Sequence, residues 1–195
     1  MILVTYKELL GFIAIAIAFV SYVPYFKDII EGRTKPHAFS WFIWGLLTGI
    51  AFLGQISDKA GPGAWVTGFT ALACFSISLF GITKGRKNIV FIDWFSLLGA
   101  GIALLFWFMT KGPLISVILI TLIDAIGFFP TFRKSFMKPQ EETLITYALS
   151  GLKFLIALFA LENVSLITSI YPASLVLMNW LFVSMLIVRR KQLSL

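Results

Sequence analysis

A carboxylate, an ammonium and a carboxamide occupy the middles of three consecutive apolar stretches: Asp124, Lys153 and Asn179. Lys153 is the only charged residue between Thr143 and Leu161, a run long enough to cross a bilayer. A charge at the centre of hydrocarbon costs about 3 kcal/mol on insertion scales, so such a residue faces a partner or a water-filled cavity. Asp124 and Lys153 fall at matching depth, which predicts an ion pair that lowers the burial cost of both. The pair has two readings: a lock that holds the helices together, or a site for a charged solute or a proton. On the second reading Asp124 takes a proton or a solute amine, and Lys153 partners it or anchors a carboxylate.

Helical spacing extends the site. Thr146, Ser150 and Lys153 follow i, i+4 and i+7, and Ser40, Trp44 and Thr48 follow i, i+4 and i+8, so each set forms one stripe on its helix. Hydroxyl stripes serve as interhelical hydrogen-bond partners or as pocket lining. Trp44, between two hydroxyl residues, adds a flat ring face and one donor, which favours ligand contact. Pro24 and Pro130 each remove a backbone hydrogen bond from a helix and are expected to act as paired hinges or as static kinks. Asp93 reads as an interface carboxylate facing Arg86 or Lys87, and Gln55 and Glu162 as rims of a mouth on the opposite side.

Other chemistries lack their residues. The chain has one cysteine, Cys74, so neither an internal disulfide nor a cysteine metal cluster can form, and Cys74 reads as a small apolar packing residue. The single histidine, His37, follows Lys35-Pro36 with no companion ligand. No Ser/His/Asp arrangement, HExxH, phosphate-binding loop or hydrolase carboxylate pair occurs. The reading is therefore not an enzyme, with no catalytic residue, metal or cofactor.

The elements that must position these residues are membrane helices. Of 195 residues, 59% are hydrophobic and 13% charged, with twenty Phe, and the mean hydropathy is +0.94. A water-soluble domain of this length cannot hide that much apolar surface. Runs of roughly 17–25 apolar residues fall at Leu9–Phe26, Ala38–Ile56, Ala64–Thr83, Ile89–Met109, Leu114–Phe132, Thr143–Leu161 and Leu166–Val188. The first has a secretory-signal look after Lys7, but it continues through Ser21 to Phe26 without a cleavage pattern and is kept as a helix. Backbone groups in lipid must be satisfied within a segment, so the fold class is an all-α polytopic membrane protein with seven transmembrane helices.

Charge gives the orientation. Lys27, Arg33, Lys35, Lys84, Arg86, Lys87, Arg133, Lys134, Lys138, Arg189, Arg190 and Lys191 fall on one side, against Lys7, Lys59 and Lys111 on the other. Short basic loops stay cytoplasmic, which places the N-terminus outside and the C-terminus inside. The net charge of +7 follows from that bias and calls for anionic lipid headgroups, with no nucleic acid. The implied location is a cell membrane, multi-pass, of the bacterial or archaeal inner-membrane kind.

A shift of 106 residues lays Phe19–Ile56 on Ala125–Glu162 without a gap. Pro24 meets Pro130, Phe26 meets Phe132, Lys27 meets Arg133, Ser40-Trp41 meet Thr146-Tyr147, and Gly45-Leu46 meet Gly151-Leu152. Two three-helix units in the same orientation need one extra span between them, so the plan is 3+1+3: a first bundle over 1–88, a linker helix over 89–112 and a second bundle with a cytoplasmic tail over 113–195. Asp124, Lys153 and Asn179 then share the second bundle.

These residues resemble the PQ-loop, or SWEET-like, membrane proteins, which include sugar facilitators, lysosomal amino-acid exporters and, more distantly, the KDEL receptors. The resemblance lies in Val23-Pro24-Tyr25-Phe26-Lys27, Phe129-Pro130-Thr131-Phe132-Arg133, the 3+1+3 plan and the outside N-terminus. The glutamine that follows proline in that family is replaced by Tyr25 and Thr131. The resemblance implies a pocket lined by Asn on the last helix of a triplet and Trp on the middle one, which maps to Asn179 and Trp44, while the repeat partner of Asn179 is Ala73. It implies a secondary transporter or facilitator of a small polar solute, sugar or amino-acid-like, with protons and a homo-oligomer as partners it leaves open. The alternative is a receptor or scaffold that binds without moving its ligand. A retinal-type photoreceptor with Lys153 as the Schiff-base lysine fits poorly, since that lysine belongs on the last helix.

Overall fold

The computed structural model describes residues 4–32, 38–84, 91–110, 112–137, 139–141 and 144–193; His37 and several basic loop positions lie outside them, as do the side chains of Ser40, Asp93 and Pro130. The described residues are helical, without strands. Seven α-helices occur among them: α1 (Tyr6–Ile30), α2 (Ala38–Ser57), α3 (Trp65–Lys84), α4 (Phe91–Thr110), α5 (Leu114–Met137), α6 (Leu144–Phe159) and α7 (Leu166–Leu193). Three segments, Tyr6–Lys27, Gly61–Thr83 and Leu166–Leu193, are long and apolar enough to cross a membrane. The remaining apolar helical stretches among the described residues are shorter. The α6 helix stops at Phe159, short of the expected Leu161, because the chain tightens there: the Ala160 amide bonds the carbonyls of both Ile156 and Ala157.

Local chemistry explains the ends. Thr5 and Glu8 form a reciprocal capping box at the start of α1, each side chain accepting from the other's backbone amide. After α2 the chain turns at Lys59 and Gly61, both with positive φ, and Pro62 opens a single 3₁₀ turn, Gly61–Ala64, that leads into α3. Ahead of α7, the Ser165 amide donates to the Thr168 hydroxyl and the Thr168 amide to the Ser165 hydroxyl, a box of the same logic.

The α3 helix packs on both α1 and α2, and α7 packs on both α5 and α6. Contacts of α1 with α6 and of α2 with α5 close a ring in the order α1–α3–α2–α5–α7–α6. Outside that ring, α4 lies against α5 and α2. The main core sits inside it, where Ala14, Leu47, Val117, Phe154 and Tyr171 meet. Large apolar side chains such as Phe12, Leu72, Leu98, Phe108, Leu122, Phe159 and Leu177 point outward and are exposed, the inverse of what water selects.

Glycine permits the closest approaches. A Cβ on Gly45 would lie 2.8 Å from the Phe75 ring of α3, and one on its repeat partner Gly151 would strike the Trp180 indole of α7. Gly63 is the less forgiving, because its neighbours at 2.8 Å are the backbone oxygen of Ala157 and the backbone nitrogen of Leu161, which cannot rotate away. Gly63→Ala should therefore cost roughly 1–3 kcal/mol, the usual range for overpacking. Gly49→Ala, with nothing within 4 Å of its added methyl, should be neutral or stabilising through helix propensity. Thermal unfolding in detergent checks the contrast, and equal melting temperatures for the two variants would contradict this packing.

Candidate functional site

Lys153 is 1% exposed. Its Nζ donates to Thr70 Oγ1 at 3.2 Å and to Tyr22 Oη at 3.4 Å. It also sits 4.6 Å from the centre of the Tyr22 ring and 5.0 Å from that of Phe154, close enough for cation–π attraction. Tyr22 belongs to α1 and Thr70 to α3, so α6 sends its lysine across the ring into the first three helices. The Tyr22 side chain also interacts with Thr70 and Cys74.

The expected Asp124–Lys153 ion pair is not made. Among the described residues, Lys27 with Glu31 forms the one salt bridge, and both Asp124 and Lys153 are free of one. The reason is geometric: α6 packs on α7 and α1, and its inward stripe faces Tyr22 and Thr70 rather than α5. Asp124 is buried at 5% exposure and has no hydrogen bond among the described residues. A second polar pair completes the layer, the hydroxyls of Thr48 on α2 and Tyr171 on α7 at 3.2 Å. Polar side chains of α1, α2, α3, α6 and α7 thus form two contact groups, Lys153 with Tyr22 and Thr70 and Thr48 with Tyr171, and α5 contributes the buried Asp124.

Among the described residues, none of the other expected site residues bonds Lys153, Thr48 or Tyr171 through its side chain. Asn179 is buried, but its amide nitrogen donates to the Leu175 carbonyl of its own helix at 2.7 Å. Trp44 is half-buried and packs edge-on against Trp41 with ring centres 5.2 Å apart. Thr146 and Ser150 are half-buried on α6, and neither is among the side chains bonded to Lys153. Pro24 lies within α1, which runs on to Ile30, and α5 likewise continues past position 130 to Met137. Tyr22, Thr70 and Tyr171 escaped the sequence reading. Their signal was present: a hydroxyl deep in an apolar run, with Tyr22 two residues before Pro24 and Tyr171 immediately before Pro172, a proline inside α7.

One end of the ring is clasped. Lys7 Nζ donates to the Leu161 carbonyl at 2.7 Å, the Glu162 amide to the Ala60 carbonyl at 2.9 Å, and the Asn163 side chain to the Asp58 carbonyl at 2.9 Å. The Ser165 hydroxyl bonds the Asp58 carboxylate. Gln55, expected to rim a mouth, is fully buried here and donates to the Thr168 carbonyl at 2.9 Å. Its length suits a cross-link between the end of α2 and α7, which places it in the seam instead. Glu162, at the same end, is exposed over Gly61.

In comparisons with known proteins, no family model matches the chain, and neither a curated protein nor a solved structure does. The class is set by the fold alone: an all-helical protein with three helices long and apolar enough to cross a membrane and a buried polar layer inside its helix ring.

A buried ammonium held by neutral hydroxyls depends on each of them, because its desolvation is only partly offset. Thr70→Val should destabilise by about 1–3 kcal/mol, the cost of leaving a buried donor unmet. Lys153→Met should be neutral or stabilising, since an apolar chain of similar volume removes the desolvation cost entirely. Detergent melting curves decide, and a loss of several kcal/mol in Lys153→Met would show the ammonium to be a structural lock.

Proposed function

We propose that the chain is a seven-span membrane protein of the 3+1+3 plan, with its N-terminus outside, that moves a small polar solute past the buried layer by alternating access. The observation that carries this reading is Lys153, a fully buried cation that reaches from α6 to α1 and α3 and finds only neutral partners there. A cation kept for packing alone is better replaced by an apolar residue, whereas a solute site needs it. The ring order supports the plan, since the third helix of each triplet packs on the other two and the triplets meet through α1 with α6 and α2 with α5. The basic loops support the orientation, which puts the Asp58 clasp on the outer side and Arg189 and Arg190 on the inner one. The resemblance to PQ-loop and SWEET-like proteins points the same way.

On this reading the molecule is closed outside. The hydrogen bonds that tie α2 and its turn to the α6–α7 turn must break for outward opening. Pro24 and Pro130 lie toward the other ends of α1 and α5 and supply the bends that let the inner segments swing.

Two measurements test it. With Asp58→Cys and Ser165→Cys combined, oxidation should abolish solute flux in proteoliposomes and reductant should restore it, while each single variant is insensitive. Flux that survives the cross-link overturns outer-side alternation, and ligand binding without flux in any state makes the protein a receptor or scaffold. Pro24→Ala with Pro130→Ala should slow flux while leaving solute affinity in place; unchanged rates would reduce both prolines to static kinks.

A further inference from the structure

The α7 helix, one of the three segments long and apolar enough to cross a membrane, carries an open groove where it lies along α6. The groove has a volume of about 320 Å³ and is lined by Leu158 of α6 and, on α7, by Ala173, Leu177, Trp180, Leu181 and Ser184. Ala173, Leu177, Trp180 and Ser184 follow i, i+4, i+7 and i+11, so the groove runs along one stripe for about 16 Å. The Trp180 indole is seated in the notch that the missing side chain of Gly151 leaves on α6. Continued toward the C-terminus, the same stripe passes the exposed Ile187 and Val188 and ends at the exposed Lys191, two turns beyond Ser184.

Three features together specify an occupant. The long axis and apolar walls suit an alkyl chain, with room for about ten groups of methylene size at about 30 Å³ each. The Ser184 hydroxyl is exposed at the end of the groove and has no hydrogen bond among the described residues, so it can donate to an ester carbonyl. Lys191 follows about 10 Å farther along the helix axis, and long side chains lean back over the preceding turn, which brings its ammonium within reach of a phosphate. Beside it, Arg189 bonds the Phe136 carbonyl and the Gln192 side-chain oxygen, both neutral, and stacks on the Phe136 ring, so its charge adds to the attraction. Chain, ester and phosphate follow one another in this order in a diacyl glycerophospholipid, and the cations select one whose headgroup is anionic. Resting on the membrane placement above and not on solute transport, we propose that the α6–α7 groove binds one such lipid, with an acyl chain along Trp180, an ester at Ser184 and the phosphate at Lys191. The bound chain holds the indole in the Gly151 notch, two residues from Lys153.

The test is thermal unfolding of the purified full chain in a neutral detergent, titrated with dioleoyl phosphatidylglycerol, dioleoyl phosphatidylcholine and dihexanoyl phosphatidylglycerol. The expected result is a rise in melting temperature that saturates with the first lipid and is much smaller with the other two, which lack the net headgroup charge or the chain length. Lys191→Gln should raise the half-saturating concentration about fivefold. Ser184→Phe, which fills the groove from an exposed position, should abolish the shift, and Leu72→Phe, exposed on α3 outside the groove, should leave it unchanged. Equal shifts with both dioleoyl lipids overturn the proposal in favour of unspecific lipid packing. An equal shift with the short-chain lipid overturns it in favour of a headgroup site without the groove. No shift with any lipid, with a dimer that Ser184→Phe converts to monomer, gives the groove to a second copy of the chain; no shift without such a dimer overturns the site outright. Should a variant fail to fold, the three-lipid comparison on the unaltered protein still decides. None of these readouts involves solute flux, so failure here leaves the transporter reading standing.

Discussion

A buried lysine with no acidic partner among the described residues is the interaction around which the candidate site is arranged. Its side chain is almost wholly withdrawn from the surface, so each hydroxyl that meets one of its donors offsets part of the cost of burial. Two of those donors reach hydroxyls on α1 and α3, so the side chain bridges α6 to both helices. The rest follows from that seam. Small residues line the approach, with Ala14, Ala18 and Ala157 fully or almost fully buried, and the aromatic faces of Tyr22 and Phe154 flank the charge. The seam is held by hydroxyls and rings, groups that bind a cation without cancelling it.

The clasp at the Asp58 end differs in kind. Its bonds are mostly side chain to backbone and lie in turns and helix ends, where the chain is free of the helical ladder. Such contacts are individually worth about 1 kcal/mol, which makes them suited to repeated breaking. One acceptor within the clasp is unmet: the Gln55 side-chain oxygen has no partner among the described residues although the residue is fully buried. A half-satisfied amide in a closing contact lowers the cost of opening it. The proposed cycle thus joins a firm central layer, where discrimination takes place, to a weaker outer clasp, where movement begins.

Much of this was legible in the residues. Apolar run length gave every helix to within a few residues, because backbone satisfaction leaves a helix as the solution for such a run. Asp124 and Lys153 stood out because charge in an apolar run is rare enough to be informative. The hydroxyl partners were harder to see, since a threonine or tyrosine in a helix often bonds its own backbone, as Thr121 and Ser76 do here. Asn179 is buried as its polarity in an apolar run suggests, and one of its amide donors is taken by the Leu175 carbonyl of its own helix. Gln55 looked like a helix-end residue and is buried, because the end of α2 packs against α7.

Composition and periodicity by themselves determined that the described residues are helical, where the helices run, and that Asp124 and Lys153 lie deep within them, because these depend on local hydropathy and on the backbone's need for internal partners. Tertiary structure alone decided which way each charge faces. The order of helices around the ring turned Lys153 toward Tyr22 and Thr70 and away from Asp124, and no pattern within one helix encodes which neighbour its inward stripe will meet.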